Sequence, residues 1–473
     1  MKKKYIVLAG VLGLAGILVA PKASALPNPN SALDTSNTVE AYKLNEYGGK
    51  ISDCQVFLKE LSNYQGKYGS WEFIGKSGNK EPLTKDSFTN TDAKVKYWSS
   101  HGNDEGIVFG DRTVLTHSAH KANFSWAGGN LEFVIMSACH QLTGDATNPR
   151  AKYAKAMIGE KGVRVICGYH IKAPSGKFGQ DTKLIKNFLS FAKSGQSVKT
   201  AWILANERNG NAGYCVLTHA GEVQNSKLPG FGADNTKRPD SSSTTILRFT
   251  KRSPVGKTEQ LAVKRIPNYC LKAKALPASL KSQEHAVSDT NMQVKREIET
   301  TDLKIGETQA KEIANLALYK EYKGVSVPAF SNASVSVAPI VAAEVEDDAT
   351  KEVETPVAYS VTYTNQYGGV KIADDSYSAV VDNKGVNFSS LSWKTYQKVP
   401  SKTKHYLNQY QALSCLARKS IWQKDVEKTD ISFVKDKKTG YYKPCWEFQT
   451  KEDGNVYVDC ATGEVKDQCG ESC

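Results

Sequence analysis

The chain has 473 residues, 40% hydrophobic, 23% charged and 9% aromatic, with 36 Gly and 16 Pro. This ordinary globular composition excludes collagen-like, coiled-coil and wholly disordered architectures, and at about 100–200 residues per domain it predicts two to four domains. Lysine and arginine exceed the acids by 13, but the lysines are scattered instead of gathered into an aromatic-interleaved patch. No nucleic-acid partner is therefore indicated, and the charge points to anionic cell walls or membrane surfaces, or to no partner at all.

In chain order, residues 1–25 read as a secretory leader. Lys2, Lys3 and Lys4 precede the apolar run Ile6 to Ala20, and Ala23, Ser24 and Ala25 form a small-residue cleavage site. The run falls short of the ~20 apolar residues of a membrane span, and no later stretch is long enough. The mature chain is thus expected to be secreted, without a transmembrane segment, and either released or associated with the cell wall. The leader takes four lysines and no acid with it, leaving about +9. Ten cysteines in an exported chain point to disulfides. Their connectivity is not readable.

From about Lys94 to Thr218 apolar runs alternate with helical patterns. Leu131 to Met136 and Val163 to Cys167 read as strands buried on both faces, with a helix expected over Arg150 to Glu160 between them. Leu184, Ile185, Phe188, Leu189 and Ala192 mark one helix face, Gly195 ends that helix, and Val198, Ala201, Trp202 and Ala205 mark the next. Tyr214 to Leu217 reads as a strand. This order predicts an α/β fold with a mostly parallel sheet flanked by helices, whose reactive groups collect beyond the carboxyl ends of the strands.

After Ala220 the texture changes. Residues 225–258 are rich in Ser, Thr, Asn, Pro and Gly and read as a linker or surface excursion, overlapping an extension placed at 236–299. A second break, Glu344 to Glu354, holds six acids around one lysine and reads as a solvated connector. From about Thr300 the rhythm is helix (Ile305 to Tyr319), strands (Tyr359 to Tyr363, Ser376 to Val381) joined to a turn at Asp382 to Gly385, then helix (Tyr406 to Ile421) and hairpin (Tyr441 to Val465). Two passes of helix and hairpin suggest a duplicated α+β module.

The stretch Tyr97-Trp98-Ser99-Ser100-His101-Gly102 is followed 38 residues later by Ser137-Ala138-Cys139-His140. Each stands just after a strand-like segment, so neighbouring parallel strands would deliver His101 and Cys139 to one edge. A thiol attacks a carbonyl as its thiolate, and an adjacent imidazole can take its proton and later pass one to the leaving amine. The N–H groups of Gly102 and Cys139 are candidate donors to the developing oxyanion. A lone cysteine at a strand end is commonly core or disulfide-bonded. It is the pairing with His101-Gly102 that favours catalysis for Cys139, whereas Cys167, inside an apolar strand, reads as an inert buried thiol.

These residues resemble the caspase-like cysteine peptidases, the group that includes metacaspases, legumains, clostripain and gingipains. Strand-His-Gly and strand-Ala-Cys in that order are its signature, Ala138-Cys139-His140 is closest to the metacaspase form, and Gly195 to Trp202 is also similar. The likeness covers about residues 50–235. It implies a thiol endopeptidase with Cys139 as nucleophile, His101 as acid/base, a main-chain oxyanion site and no obligatory cofactor; calcium, which some relatives use, stays open. Clostripain-like and legumain-like members carry an acid two positions before the cysteine, where this chain has Ser137, so their specificity does not transfer. Asp104, Asp111, Asp145 and Asp181 could supply an acidic pocket but read more simply as loop charges. His117, His120 and His140 with Cys139 could make a zinc cluster, yet no Cys-x-x-Cys accompanies them, and no metal is expected.

In the second half, Val458 to Val465, preceded by Pro444 to Phe448, resembles the closing hairpin of PepSY modules, and Gln309 to Ala314 their opening helix. That likeness places Cys445 opposite Cys460, where a disulfide would be plausible, and implies restraint of the peptidase in cis, help in its folding, or attachment to the cell surface. The expectation is therefore a leader (1–25), a peptidase domain (26–235), an extension (236–299) and a tandem α+β region (300–473), acting on protein or peptide substrates. The alternative is a catalytically inactive secreted binding or adhesion protein on the same scaffold.

Overall fold

The computed structural model describes residues 39–43, 53–62, 71–74, 88, 93–100, 102, 106–108, 114–116, 131–142, 157–159, 162–171, 173–174, 180–211, 213–231, 245–252, 265–274, 292–294, 296–321, 333–344, 353–403, 405–419, 421, 423, 426–436, 438–450 and 454–466. The leader lies outside them, as do His101, His117, His120, Asp104, Asp111 and Asp145. Among the described residues no helix is long and apolar enough to cross a membrane.

The N-terminal half begins with β1 (Val39–Lys43), α1 (Asp53–Ser62), β2 (Trp71–Ile74) and β3 (Val95–Ser99). A small hairpin follows, β4 (Gly106–Val108) with β5 (Val114–Thr116), and then β6 (Phe133–Ser137) and β7 (Val165–Tyr169). Strands β2, β1, β3, β6 and β7 lie side by side in that order, all parallel. The runs Val-Lys-Tyr-Trp-Ser, Phe-Val-Ile-Met-Ser and Val-Ile-Cys-Gly-Tyr are buried along their whole length, as central strands covered on both faces must be. Alternation splits their side chains. Val95, Tyr97, Phe133 and Ile135 pack towards α1 and two later helices, whereas Trp98, Val134 and Met136 face Leu142, Met157 and Ile158. The last two are the described part of the helix expected over Arg150 to Glu160.

Next come α2 (Gln180–Lys193) and α3 (Val198–Arg208), a helical hairpin that enters β8 (Tyr214–His219). Here the expectation of a parallel sheet needs correcting, because β8 runs antiparallel to β7. One helix would return the chain to the start of the sheet; two cross it twice, so the next strand must run the other way. The stretch read as a linker also contributes to the sheet. It contains β9 (Ile246–Lys251), antiparallel to β8, and the extension at 236–299 adds β10 (Tyr269–Ala273) and β11 (Met292–Val294).

The sheet then continues through β9 into the C-terminal half, so the molecule is mixed α/β, with a large and mostly antiparallel sheet. After α4 (Glu307–Glu321), strand β12 (Ser334–Glu344) pairs with β9, and a meander follows through β13 (Glu354–Tyr367), β14 (Val370–Asp382) and β15 (Gly385–Ser392). The acidic break at 344–354 therefore joins two strands of one hairpin. Strand β16 (Tyr396–Pro400) pairs with β10, and β11 with β15. A second pass follows: α5 (Gln409–Ala417), then β17 (Val426–Lys435), β18 (Tyr442–Thr450), β19 (Gly454–Asp459) and β20 (Val465–Lys466), each antiparallel to the last. Each helix is thus followed by a meander of four strands.

No disulfide forms among the described cysteines; Cys54, Cys139, Cys167, Cys215, Cys270, Cys415, Cys445 and Cys460 are thiols. The expected Cys445–Cys460 bridge fails on register. Cys445 stands opposite Asp459, one position short of Cys460. It packs with Val434 and Tyr457, while Cys460 joins Trp446 and Val458 in a separate cluster.

Candidate active site

Strands β3 and β6 pair in parallel with Ser99 opposite Ser137, so both chains leave the sheet at the same rim. Ser100 N–H donates to Ser137 O at 3.3 Å, holding the two exits together. Gly102 then lies against the turn that carries Cys139. A methyl group on Gly102 would sit 2.2 Å from Cys139 O, 2.4 Å from Gln141 Nε2 and 3.0 Å from Cys139 N. Only glycine permits that approach. The two main chains expected to donate to an oxyanion are therefore adjacent. His101 stands between the described residues Ser100 and Gly102 and lies outside the description.

Cys139 is half-buried and its thiol is unbridged. The chain turns sharply after it, with His140 at φ 59°, the left-handed region that a non-glycine residue enters at a cost. Two main-chain bonds hold this turn against the exit of β7: His140 N–H to Ile171 O at 2.7 Å and Leu142 N–H to Tyr169 O at 3.0 Å. A third contact reaches the sulfur itself, from Ala173 N–H to Cys139 Sγ at 3.3 Å. Ile171, in the same loop, is among the exposed large apolar residues.

Gln141 is a site residue that the sequence did not reveal. Its side chain is fully enclosed, Nε2 donates to Cys139 O at 2.6 Å, and Oε1 is buried without a hydrogen-bond partner. The amide thus ties down the carbonyl of Cys139 beside Gly102. Asp53 is a second such residue. Fully buried at the start of α1, it accepts from Tyr97 Oη at 2.7 Å and Ser99 Oγ at 2.6 Å, and from its neighbour Cys54 N–H at 2.9 Å. It thereby fixes the end of β3 just before His101. Burial, followed by the negative charge of Asp53, drives the Tyr97 hydroxyl well above the usual phenol range, so it stays a neutral donor. A helical aspartate next to Cys54 carries no sequence signal for this role; only the fold brings it to β3.

Asp181, one of the carboxylates considered for an acidic pocket, is 5% exposed at the first turn of α2. It accepts from Thr182 N–H at 2.6 Å, so it is an enclosed charge and not a loop charge in solvent. Cys167 is fully buried, and burial pushes its thiol well above the ordinary value, in keeping with an inert core sulfur. His140 lies on the same turn as Cys139. Among the described residues no three His, Cys, Asp or Glu side chains gather to hold a metal ion.

A protein-family model described as a domain of unknown function, DUF6345, matches residues 68–242, the part of the chain that contains the candidate site. No curated protein matches the chain. A solved structure described as "Structure of Protease" aligns over 78% of this chain and 66% of its own length, at 12% identity and a TM-score of 0.26. At that TM-score the likeness carries no argument about fold or chemistry.

Proposed function

We propose that this protein is an exported cysteine endopeptidase with a caspase-like α/β region and a tandem α+β region of PepSY type. The observation that supports it best is the in-register pairing of β3 with β6, with Gly102, just beyond β3, lying against the main chain of the Cys139 turn beyond β6. The flanked, largely parallel run β2–β1–β3–β6–β7 agrees with that reading.

In the proposed reaction His101 takes the thiol proton and the Cys139 thiolate attacks the scissile carbonyl carbon. The S–C bond forms as the carbonyl π pair moves onto oxygen, where the N–H groups of Gly102 and Cys139 donate. Collapse breaks the C–N bond, and the imidazolium protonates the departing amine. A water molecule that loses its proton to His101 then releases the acyl group, regenerating the thiol. The enclosed amide of Gln141 keeps the Cys139 carbonyl turned aside, so the turn needs no rearrangement when negative charge develops.

Replacing Cys139 or His101 by Ala is expected to remove turnover of a diverse peptide library by at least ~1,000-fold while leaving the circular dichroism spectrum unchanged. Activity retained in either variant would refute the assignment. An acyloxymethylketone probe separates this reading from a non-catalytic binding protein, which would show no selective labelling at residue 139.

A further inference from the structure

We infer that the main-chain N–H of Ala173 is a catalytic group that stabilises the Cys139 thiolate; this deepens the peptidase reading and rests on it. The geometry is specific. The N–H points at the sulfur with N···S 3.3 Å, and its position is fixed from three sides. Ala173 itself packs against the main hydrophobic core. Upstream, the β7 exit is tied to the cysteine turn through Ile171 O and Tyr169 O. Downstream, Pro174 confines Ala173 to extended backbone.

A donor held this rigidly by the fold loses little entropy when charge appears on sulfur, and a hydrogen bond to a charged acceptor outweighs one to a neutral thiol. It therefore favours the thiolate over the thiol. The thiolate attacks through another of its three lone pairs, and the contact with Ala173 weakens because the negative charge leaves sulfur as the acyl-enzyme forms; it returns on hydrolysis. Its benefit goes to the nucleophile and not to the intermediate, which separates it from the oxyanion donors Gly102 and Cys139. In the same turn, the His140 N–H is already committed to Ile171 O.

The test is the pH dependence of iodoacetamide alkylation at Cys139, read site by site by peptide mass spectrometry on the full mature chain. Ala173→Pro deletes this one N–H, and Ala173→Gly keeps it. The expected result is a rate at pH 6 lower by about tenfold and a midpoint about one pH unit higher for Ala173→Pro, with Ala173→Gly like the parent. A reactive parent with an unchanged proline variant overturns the inference and leaves the peptidase reading standing. A parent whose Cys139 reacts no faster than an ordinary thiol overturns the peptidase reading and the inference with it.

Should Ala173→Pro not fold, the amide can be watched directly in the chain labelled with 15N-alanine, its resonance identified as the one missing from Ala173→Gly. The Ala173 amide proton should move downfield with the same pH midpoint as alkylation, and the movement should vanish in Cys139→Ala. An amide that does not respond across that range would refute the role.

Discussion

Gly102 leaves no space for even one methyl group beside Cys139. Neither neighbour can easily yield, since one is main chain and the other is the enclosed Gln141 amide. Gly102→Ala should therefore push the two exits apart, costing about 1–3 kcal/mol in stability and slowing labelling of Cys139 by ~100-fold. Denaturant melts and probe kinetics would measure the two effects, and a variant labelled at the parental rate would contradict the close approach. Asp375 gives a pH prediction in the C-terminal half. Its Oδ2 accepts from Tyr396 Oη at 2.6 Å and Asn365 Nδ2 at 2.9 Å, while Oδ1 is buried without a hydrogen-bond partner. Burial raises its proton affinity from the ordinary 3.8 to about 6, against the pull of those hydrogen bonds. Between these values the folded chain holds a proton that the unfolded chain has lost, so this group favours the fold at low pH and disfavours it as pH rises through about 4 to 6. Asp375→Asn should remove that slope and raise stability at pH 7 relative to pH 4 by on the order of 2–3 kcal/mol compared with the parent. Denaturant melts at the two pH values would check it, and parallel curves for variant and parent would count against it.

At the scale of elements, α3 explains part of what the sequence hid. Its apolar spacing at Val198, Ala201, Trp202 and Ala205 marks one face, yet Lys199, Thr200, Asn206 and Glu207 are buried as well. Lys199 and Thr200 are covered by Glu297 and Ile298, far along the chain, while Asn206 bonds to Tyr169 and Glu207 to Tyr214, Lys251 and Ser360. Ser197, the N-cap, donates from both its N–H and its hydroxyl to the Glu297 carboxylate, and Lys199 Nζ donates to Ile298 O at 2.6 Å and Gln224 Oε1 at 3.0 Å. Burial lowers the Lys199 ammonium to about 8 despite the nearby carboxylates of Glu297 and Glu299. Polar residues on a helix normally mark its solvated face, so no local pattern could announce that they are covered. Glu297→Ala should cost about 1.5–3 kcal/mol in a denaturant melt, the range for a hydrogen bond to a charged group. The N-terminus of α3 lies at the end of the sheet away from Cys139, so alkylation there should proceed at the parental rate, and a large change in that rate would count against this division.

Across the whole molecule one core runs from Tyr97, Phe133 and Trp202 through Phe249 and Ile298 to Ile340, Val357 and Phe388, and one sheet passes from β8 through β9 to β12. An ion pair and a hydrogen bond reinforce the seam, Glu207 accepting from Lys251 Nζ at 2.8 Å and from Ser360 Oγ at 2.5 Å. A fragment of residues 26–240 would lose β9, expose the edge of the fully buried strand β8 and strip Ile298 from the core. It is expected to aggregate or to lose its cooperative melt, as judged by size-exclusion chromatography and calorimetry. A soluble, cooperatively folded and active fragment would instead favour a separable C-terminal region of the kind that restrains a peptidase in cis.

How much was legible follows from range. Strands β3, β6 and β7 and helices α2 and α3 could be read because their apolar periodicity is local, and the two passes of helix and hairpin were visible for the same reason. The approach of Gly102 to the Cys139 turn also followed from sequence, since a motif placed just after a buried parallel strand has one rim on which to emerge. What tertiary structure alone decided was everything that depends on register or on distant partners. It turned β8 antiparallel through an even number of helix crossings, drew β9 out of a polar stretch into the sheet, and parted Cys445 from Cys460 by one residue. It also set Gln141 and Ala173 against the candidate nucleophile and Asp53 at the end of β3. These are governed by strand register or by contacts between segments that are mostly tens of residues apart, whose energies no local spacing of side chains records.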